Sequence, residues 1–347
     1  TGDHFQTAFH IARQLGIAEQ EDEVFDCRHM TGLSDAALTK VTETTRVFAR
    51  VIPENKHRLL TILNQQQVTA MTGDGVNDVP ALVGANVGLA MGGGASIAKD
   101  AGDIILLDNN FRSIVEAVHE GRTVHANIKR MVAYLLSTNA GEVLTALCSL
   151  AAGIPVPIVP VQILWINLVT DTCMVIPIGL EPGERHNMNR PPKPANAPLF
   201  SRFFLGRIAV TAATMATLTL GIYLYFLGSH GVDYARTIAF HALVIMQWAS
   251  AFNARSDYES LWFRLRRFSP AFYVGLLAAV GLQCTVLWGG MHTILHTVSV
   301  DMTDLLFAGG CAFFLPILVI ECHKWIGRHF FGKGHVVQST FAAKART

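Results

Sequence analysis

Six apolar segments, at 131–153, 158–180, 208–228, 237–254, 271–290 and 305–326, each have about the length that crosses a bilayer. Inside hydrocarbon every backbone N–H and C=O must be satisfied within the protein, so each such segment must be a helix. Composition agrees: 51% of residues are hydrophobic and only 15% charged, against about 25% charged in ordinary soluble domains. Loop charges set the orientation. Lys or Arg occurs at Lys129 and Arg130, in 184–207, in 255–267 and in the tail 324–346, whereas the alternate connections 154–157, 229–234 and 291–304 carry none. That pattern puts the charged loops and both ends of the membrane part in the cytoplasm, as an even number of spans requires. The lipid bilayer is therefore an expected partner of an integral, multi-pass protein. The proline-rich run 189–194 reads as a stiff connector.

Before residue 129 the pattern changes. Short apolar runs at 47–51, 68–71, 87–91 and 104–107 alternate with helical patterns at 5–15, 55–64, 97–101 and 111–127. Strand–helix alternation predicts an α/β domain with a parallel, doubly wound sheet. The expected division is 1–128 for this domain, 129–328 for six transmembrane helices and 329–347 for a cytoplasmic tail. The formal net charge of +1 gives no field that would attract nucleic acid, so no nucleic-acid partner is expected. The six cysteines have no paired spacing and read as buried, reduced thiols. The fourteen histidines lack metal-ligand spacing. No internal repeat and no opening signal-peptide pattern is visible.

One stretch of the soluble part carries chemistry: Met71-Thr72-Gly73-Asp74-Gly75-Val76-Asn77-Asp78-Val79-Pro80-Ala81-Leu82. Val68 to Met71 reads as a buried strand. Gly73 and Gly75 permit a sharp turn and close approach of a ligand. Asp74, Asn77 and Asp78 then extend from the carboxyl end of a strand, where open α/β sheets bind ligands. Hard oxygen donors there suit Mg²⁺ beside a phosphate. Alone, the stretch reads equally well as an Asx-rich surface turn.

The same twelve residues resemble the hinge motif of the P-type cation-transporting ATPases, and further matches follow in the order of that family. Thr1-Gly2-Asp3 opens the chain; Phe48-Ala49-Arg50-Val51-Ile52-Pro53 precedes Lys56; Val87-Gly88-Leu89-Ala90-Met91-Gly92, Ala98-Lys99-Asp100-Ala101 and Asp108-Asn109-Asn110-Phe111 come after the hinge. The resemblance extends over essentially the whole chain and is greatest to the calcium-pump branch. It implies a haloacid-dehalogenase-like, Rossmann-type phosphorylation domain, ATP as substrate and Mg²⁺ as cofactor. It also implies a bacterial plasma membrane as the location. Asp74 would be the main Mg²⁺ carboxylate. Asn77 and Asp78 would hold phosphate and order the metal shell. Lys56 would neutralise phosphoryl oxygens, although a lone lysine there reads as a solvated helix charge. Thr1 and Gly2 would hydrogen-bond the same oxygens, with Asp3 supporting the loop. The family's phosphorylated aspartate lies in D-K-T-G-T and its dephosphorylation motif is T-G-E. Neither occurs in these residues. The expectation is a C-terminal portion of a longer pump that cannot by itself form the phosphoenzyme.

Charged groups inside spans are functional candidates, because a central carboxylate costs about 2.5–3.5 kcal/mol even on insertion scales. The first span carries Asn139 and Glu142 at i and i+3; the second carries Asn167, Thr170 and Asp171 at i, i+3 and i+4. The short connection through Pro155 and Pro157 makes the two spans antiparallel neighbours whose polar faces can meet. Two carboxylates, two amides and a hydroxyl form an all-oxygen cage for a hard cation. Asn and Thr can instead serve as interhelical hydrogen-bond glue. These residues resemble the calcium ligands of sarcoplasmic-reticulum-type pumps, and Gln247 stands where that type has a glutamate and plasma-membrane-type calcium pumps have Gln. Thr172-Cys173-Met174 replaces the usual Gly-Leu-Pro, and Pro177 comes later. An ATP-driven cation pump is thus expected, with Ca²⁺ favoured. A Na⁺, K⁺ or other cation pump is the alternative within the class. A membrane-anchored phosphatase of the same soluble fold, or a non-catalytic binding protein, are the alternatives outside it.

Overall fold

A computed structural model describes residues 1–184, 187–189, 198–256, 261, 265–266, 268–327 and 329. The connector at 190–194, much of the loop 257–267 and the tail beyond 329 lie outside the described residues. Thr1–Val118 forms one compact unit, and the described residues from His119 onward form another.

In the first unit all strand pairing is parallel. Helix α1 (Phe5–Gln14) buries Ala8 and Ala12. Strand β1 (Val24–Asp26) pairs with β2 (Val47–Ala49), with α2 (Asp35–Thr44) between them in sequence. Ser34 caps α2, its hydroxyl accepting from Ala37 N at 3.3 Å. Helix α3 (Pro53–Gln66) starts on a proline, which costs nothing where the N–H would be unpaired anyway. A second sheet runs in the order β3 (Ala70–Gly73), β4 (Val87–Met91) and β5 (Ile104–Leu106). Helices α4 (Val79–Gly84) and α5 (Ser96–Ala101) connect its strands. The single expected sheet is therefore two among the described residues. Strand β1 escaped notice because three residues carry no readable period. Met30, Leu38, Leu59 and Ile62 pack around Cys27, whose thiol burial pushes up to about 11. That keeps it protonated and unreactive at neutral pH.

The second unit is helical. Helix α6 (Phe111–Ala151) runs unbroken for 41 residues, so the expected division near 128 falls inside a helix. No proline interrupts it. Helix α7 (Pro160–Trp165) continues through a π-helical segment, Ile166–Asp171, into α8 (Thr172–Gly179), which contains Pro177. Helix α9 (Arg202–His230) meets α10 (Val232–Ala254) at Gly231, whose φ of 82° favours glycine. Helix α11 (Pro270–Trp288), the short α12 (His292–Leu295) and α13 (Met302–Ile326) complete the described helices.

Five of these stretches among the described residues are long and apolar enough to cross a membrane: 112–151, 160–179, 202–230, 270–288 and 302–326. The expected fourth span, 237–254, falls in α10, a helix 23 residues long that is not among the five. Its apolar character is diluted by Asp233 and Arg236 near its start and by His241, Gln247, Ser250 and Asn253 within it. It is nevertheless deeply packed, with Ala235, Ala239, Ala242, Ala249 and Ala251 fully buried. Small residues let helix backbones approach closely where no hydrophobic gain is available from lipid. Gly275 of α11 plays the same part against α8. A Cβ there would collide with the Cys173 carbonyl, the acceptor that Pro177 cannot donate to, and would lie 2.5 Å from the Pro177 ring. All six cysteines are free, but only Cys27 is fully buried; Cys148 and Cys322 are exposed. The expectation of buried thiols fails there because apolar spans turn whole faces outward, towards lipid.

Candidate functional site

In the first unit the glycine-bracketed turn folds its own acid back over the strand end. A Cβ on Gly73 would sit 2.5 Å from the Asp78 Cβ, so only glycine lets Asp78 approach. Asp78 Oδ2 accepts from the backbone N–H groups of Asp74 and Gly75, each at 3.2 Å. Its Oδ1 accepts from Lys56 Nζ at 2.6 Å. Burial pushes the Asp78 carboxyl up. The bond from Lys56, the two backbone amides and the Lys56 charge outweigh that and hold it below the ordinary carboxylate range. Asp78 is therefore a fixed anion that positions Lys56, in the first turn of α3.

Asp74 is arranged differently. Its carbonyl accepts from Ala95 N at 2.8 Å, and a Cβ on Gly94 would lie 2.7 Å from that same oxygen. The backbone is thus clamped, while the carboxylate is exposed and has no hydrogen-bond partner among the described residues. A free, hard, anionic donor beside a second carboxylate fits Mg²⁺, which takes one or two protein carboxylates and completes its shell with water and phosphate oxygens. No cluster of three or more His, Cys, Asp or Glu side chains suited to a metal occurs among the described residues. Thr1 Oγ1 donates to Asp3 Oδ2 at 2.6 Å, and Asp3 N donates back to Thr1 Oγ1 at 3.2 Å. Thr1, Gly2, Lys56, Asn77 and Asp78 line one cleft of about 660 Å³. Asp3 and Asp74 do not line it.

In the second unit the intramembrane residues converge. Glu142 of α6 is 4% exposed and Gln247 of α10 is 0% exposed. Gln247 Nε2 donates to Glu142 Oε1 at 2.8 Å. Asn167 and Asp171 neighbour the same carboxylate from the π-helical segment. Asp171 and Thr170 are both buried. Neither carboxylate oxygen of Asp171 has a hydrogen-bond partner among the described residues, and nor has Gln247 Oε1. Buried oxygens are almost always partnered, so three orphans together fit a hard cation as their missing partner.

Asn139 is half-buried, and its Nδ2 donates to the Leu135 carbonyl of its own helix at 2.8 Å, a bond that uses the amide nitrogen and not Oδ1. One expectation is corrected here: the α-helical spacing of Asn167, Thr170 and Asp171 fails locally, because these residues lie in a π-helix with a wider turn. The π turn stands immediately before the position where a Gly-Leu-Pro breaker was missing.

Sequence reasoning missed an ionic scaffold towards the ends of these helices. Arg130 pairs with Glu184 at 2.6 Å and Arg255 with Glu181 at 2.6 Å, with all four side chains buried. Ser256 Oγ donates to Glu184 Oε1 at 2.8 Å, and Asn127 Nδ2 donates to the carbonyls of Gly179 and Glu181 at 3.0 and 2.7 Å. The only sequence signal was opposite charge at span ends; the partners are more than fifty residues apart. Tyr134, whose hydroxyl lies beside the Asp171 carboxylate, was also missed, because a tyrosine near the start of a span reads as an interfacial anchor.

Residues 155–326 match the family model for the C-terminus of cation transporting ATPases. The chain is 36% identical over 317 residues to a calcium-transporting ATPase of Bacillus subtilis (strain 168), covering 89% of this chain and 35% of that protein. It is 36% identical over 306 residues to calcium-transporting ATPase 1 of Bacillus cereus, covering 83% and 34%. It is 36% identical over 311 residues to the probable cation-transporting ATPase F of Mycobacterium tuberculosis (strain H37Rv), covering 87% and 34%. The chain therefore spans about a third of the length of the curated relatives it matches.

Proposed function

With the C-terminal region of a P-type cation-transporting ATPase in this chain, we propose that it supplies the transported-cation site and part of the phosphate-handling site of an ATP-driven pump that exports Ca²⁺. The observation that carries this reading is the buried Glu142–Gln247 pair beside Asp171, whose two carboxylate oxygens lack any hydrogen-bond partner among the described residues. Two desolvated carboxylates, the Gln247 carbonyl, Asn167 and Thr170 supply hard oxygens; Asn139, tied to Leu135 through its Nδ2 alone, keeps its Oδ1 to add to them. A divalent ion offsets more of the burial cost of two carboxylates than a monovalent one does. Gln247 brings no third charge, which favours one Ca²⁺ at this cage. The same lack of a third charge keeps a Na⁺ or K⁺ pump as the second reading.

In the first unit, a haloacid-dehalogenase-like fold is the proposed framework. Lys56 and Asp78, with Thr1, Gly2 and Asn77, would bind and orient the phosphoryl group. Asp74 and Asp78 would hold Mg²⁺, which when bound supplies charge neutralisation for phosphoryl transfer. Helix α10 is proposed as a further span, the fourth of six in chain order, with the charged loops and the C-terminus in the cytoplasm. The test is Ca²⁺-dependent phosphorylation by ATP in the full-length protein carrying Glu142→Gln or Asp171→Asn. Loss of Ca²⁺ dependence in both supports the cage, and wild-type Ca²⁺ dependence in both rejects it. Restoration of activity by Na⁺ or K⁺ in place of Ca²⁺ would select the second reading.

A further inference from the structure

A second group of unpartnered polar atoms lies next to the cage. Tyr134 Oη, Ser250 Oγ and both amide atoms of Asn253 are buried without a hydrogen-bond partner among the described residues. Tyr134 is 2%, Ser250 5% and Asn253 3% exposed. All three line one small cavity of about 50 Å³ between α6, α9, α10 and α13. Tyr134 belongs to both places, since it lines this cavity and its hydroxyl faces the Asp171 carboxylate.

We propose that this cavity is a water-only side compartment of the cation cage, with Tyr134 as the shared wall. The proposal rests on the cage reading above. The volume suits roughly three to five water molecules, at about 10–15 Å³ of probe-occupied space each. Water is the occupant that satisfies a phenol, a hydroxyl and an amide together. Each of those groups is otherwise destabilising when buried unpaired. A cation is disfavoured. No carboxylate lines the cavity, whereas the guanidinium-bearing side chains of Arg130 and Arg207 do. Arg130 is neutralised in part by Glu184, and Arg207 lies near His323. Positive groups at a polar passage repel cations and admit water. The compartment would thus rehydrate Glu142 and Asp171 when the ion departs without opening a route for the ion.

Hydroxyl-radical footprinting of the full-length protein in lipid nanodiscs tests this, because radicals generated from bound water modify the buried side chains it touches. Tyr223 is the control: it is 0% exposed, its hydroxyl is also unpartnered, and it does not line this cavity. Tyr134 should be modified about tenfold faster than Tyr223. Ser250→Leu, which fills the cavity, should remove that difference; Ser250→Ala, which leaves it open, should retain it. The number of Ca²⁺ ions bound at saturation should be unchanged in Ser250→Leu. Equal modification of Tyr134 and Tyr223 in the unaltered protein overturns the proposal. So does a lower Ca²⁺ count in Ser250→Leu, which would make the cavity an ion site. Glu142→Gln separates the two readings. Unchanged Ca²⁺ affinity with fast Tyr134 modification overturns the cage and leaves a hydrated cavity. Lost affinity with slow Tyr134 modification overturns the compartment and leaves the cage.

Discussion

Gln247 donates a 2.8 Å hydrogen bond from its Nε2 to Oε1 of Glu142, across two helices and 105 residues of sequence. The bond orients the amide so that its carbonyl oxygen, itself unpartnered among the described residues, is left for another ligand. Gln247 thus both holds Glu142 and offers an oxygen. Its substitution should separate these roles. Gln247→Leu removes both and should weaken Ca²⁺ binding about tenfold or more, the equivalent of 1.4 kcal/mol. Gln247→Glu restores an oxygen and adds charge, and should tighten divalent binding or raise the number of ions bound. Equilibrium ⁴⁵Ca²⁺ binding to the full-length protein reads both. Unchanged affinity in Gln247→Leu would remove this residue from the site.

Glu142→Gln and Asp171→Asn keep shape and oxygen count but lose a unit charge. At an effective dielectric of about 20, unit charges 4 Å apart interact by about 4 kcal/mol. Each substitution should therefore lower Ca²⁺ affinity by at least about a hundredfold. Asp171→Asn should have the larger effect, because Glu142 retains its bond from Gln247 while Asp171 has no hydrogen-bond partner among the described residues. A ratio in the opposite order, measured by the same binding assay, would contradict that ranking.

Gly73→Ala should disable phosphoryl transfer through geometry rather than charge. Its Cβ would meet the Asp78 Cβ at 2.5 Å. Asp78 must then move, which breaks its bonds to Lys56 and to the Asp74 and Gly75 amides. Phosphoenzyme formation from ATP in the full-length protein should fall by at least about tenfold, while Ca²⁺ binding at the membrane cage stays within twofold. Phosphorylation at the wild-type rate would show that Asp78 does not need this position.

Acid should loosen the β1–β2 pair through Asp26. Bonds from the Arg28 side chain, followed by its backbone amide and charge, hold the Asp26 carboxyl down at about 2. An unfolded aspartate titrates near about 3.9. A depressed folded value stabilises above the unfolded value, and that stabilisation is lost as pH falls from about 4 towards about 2. Arg28→Gln should therefore reduce hydrogen-exchange protection of Val24–Asp26 and Val47–Ala49 at pH 7 but not at pH 2. A protection difference that persists undiminished at pH 2 would rule out this linkage.

Gly275→Val should destabilise the α8–α11 contact by about 1–3 kcal/mol, the usual cost of overpacking. The added atoms would collide with the Cys173 carbonyl and the Pro177 ring. Gly281→Ala, in the same helix with nothing within 4 Å of an added Cβ, is the matched control and should be neutral or stabilising. Thermal unfolding in detergent distinguishes them.

Apolar run length and the order of short motifs were enough, in the sequence alone, to specify the helical membrane part and the elements carrying Asp74, Asp78, Glu142 and Asp171. Hydrophobic length dictates a helix wherever the backbone must satisfy itself, and glycines mark where a turn must be tight. Tertiary structure decided what each polar group meets. Helical spacing put Asn139 beside Glu142, but a local carbonyl claimed its amide nitrogen, because i→i−4 partners are always within reach whatever the other helices do. The same spacing assumed α-helical register through Asn167, Thr170 and Asp171, yet the chain takes a π turn there, a choice that no single-residue propensity encodes. Nor could periodicity reveal that α6 continues through residue 128, that Gln247 reaches Glu142, or that both Asp171 oxygens are left without a hydrogen-bond partner among the described residues. Periodicity fixes which face a residue occupies; only the packing of other helices against that face determines its partner.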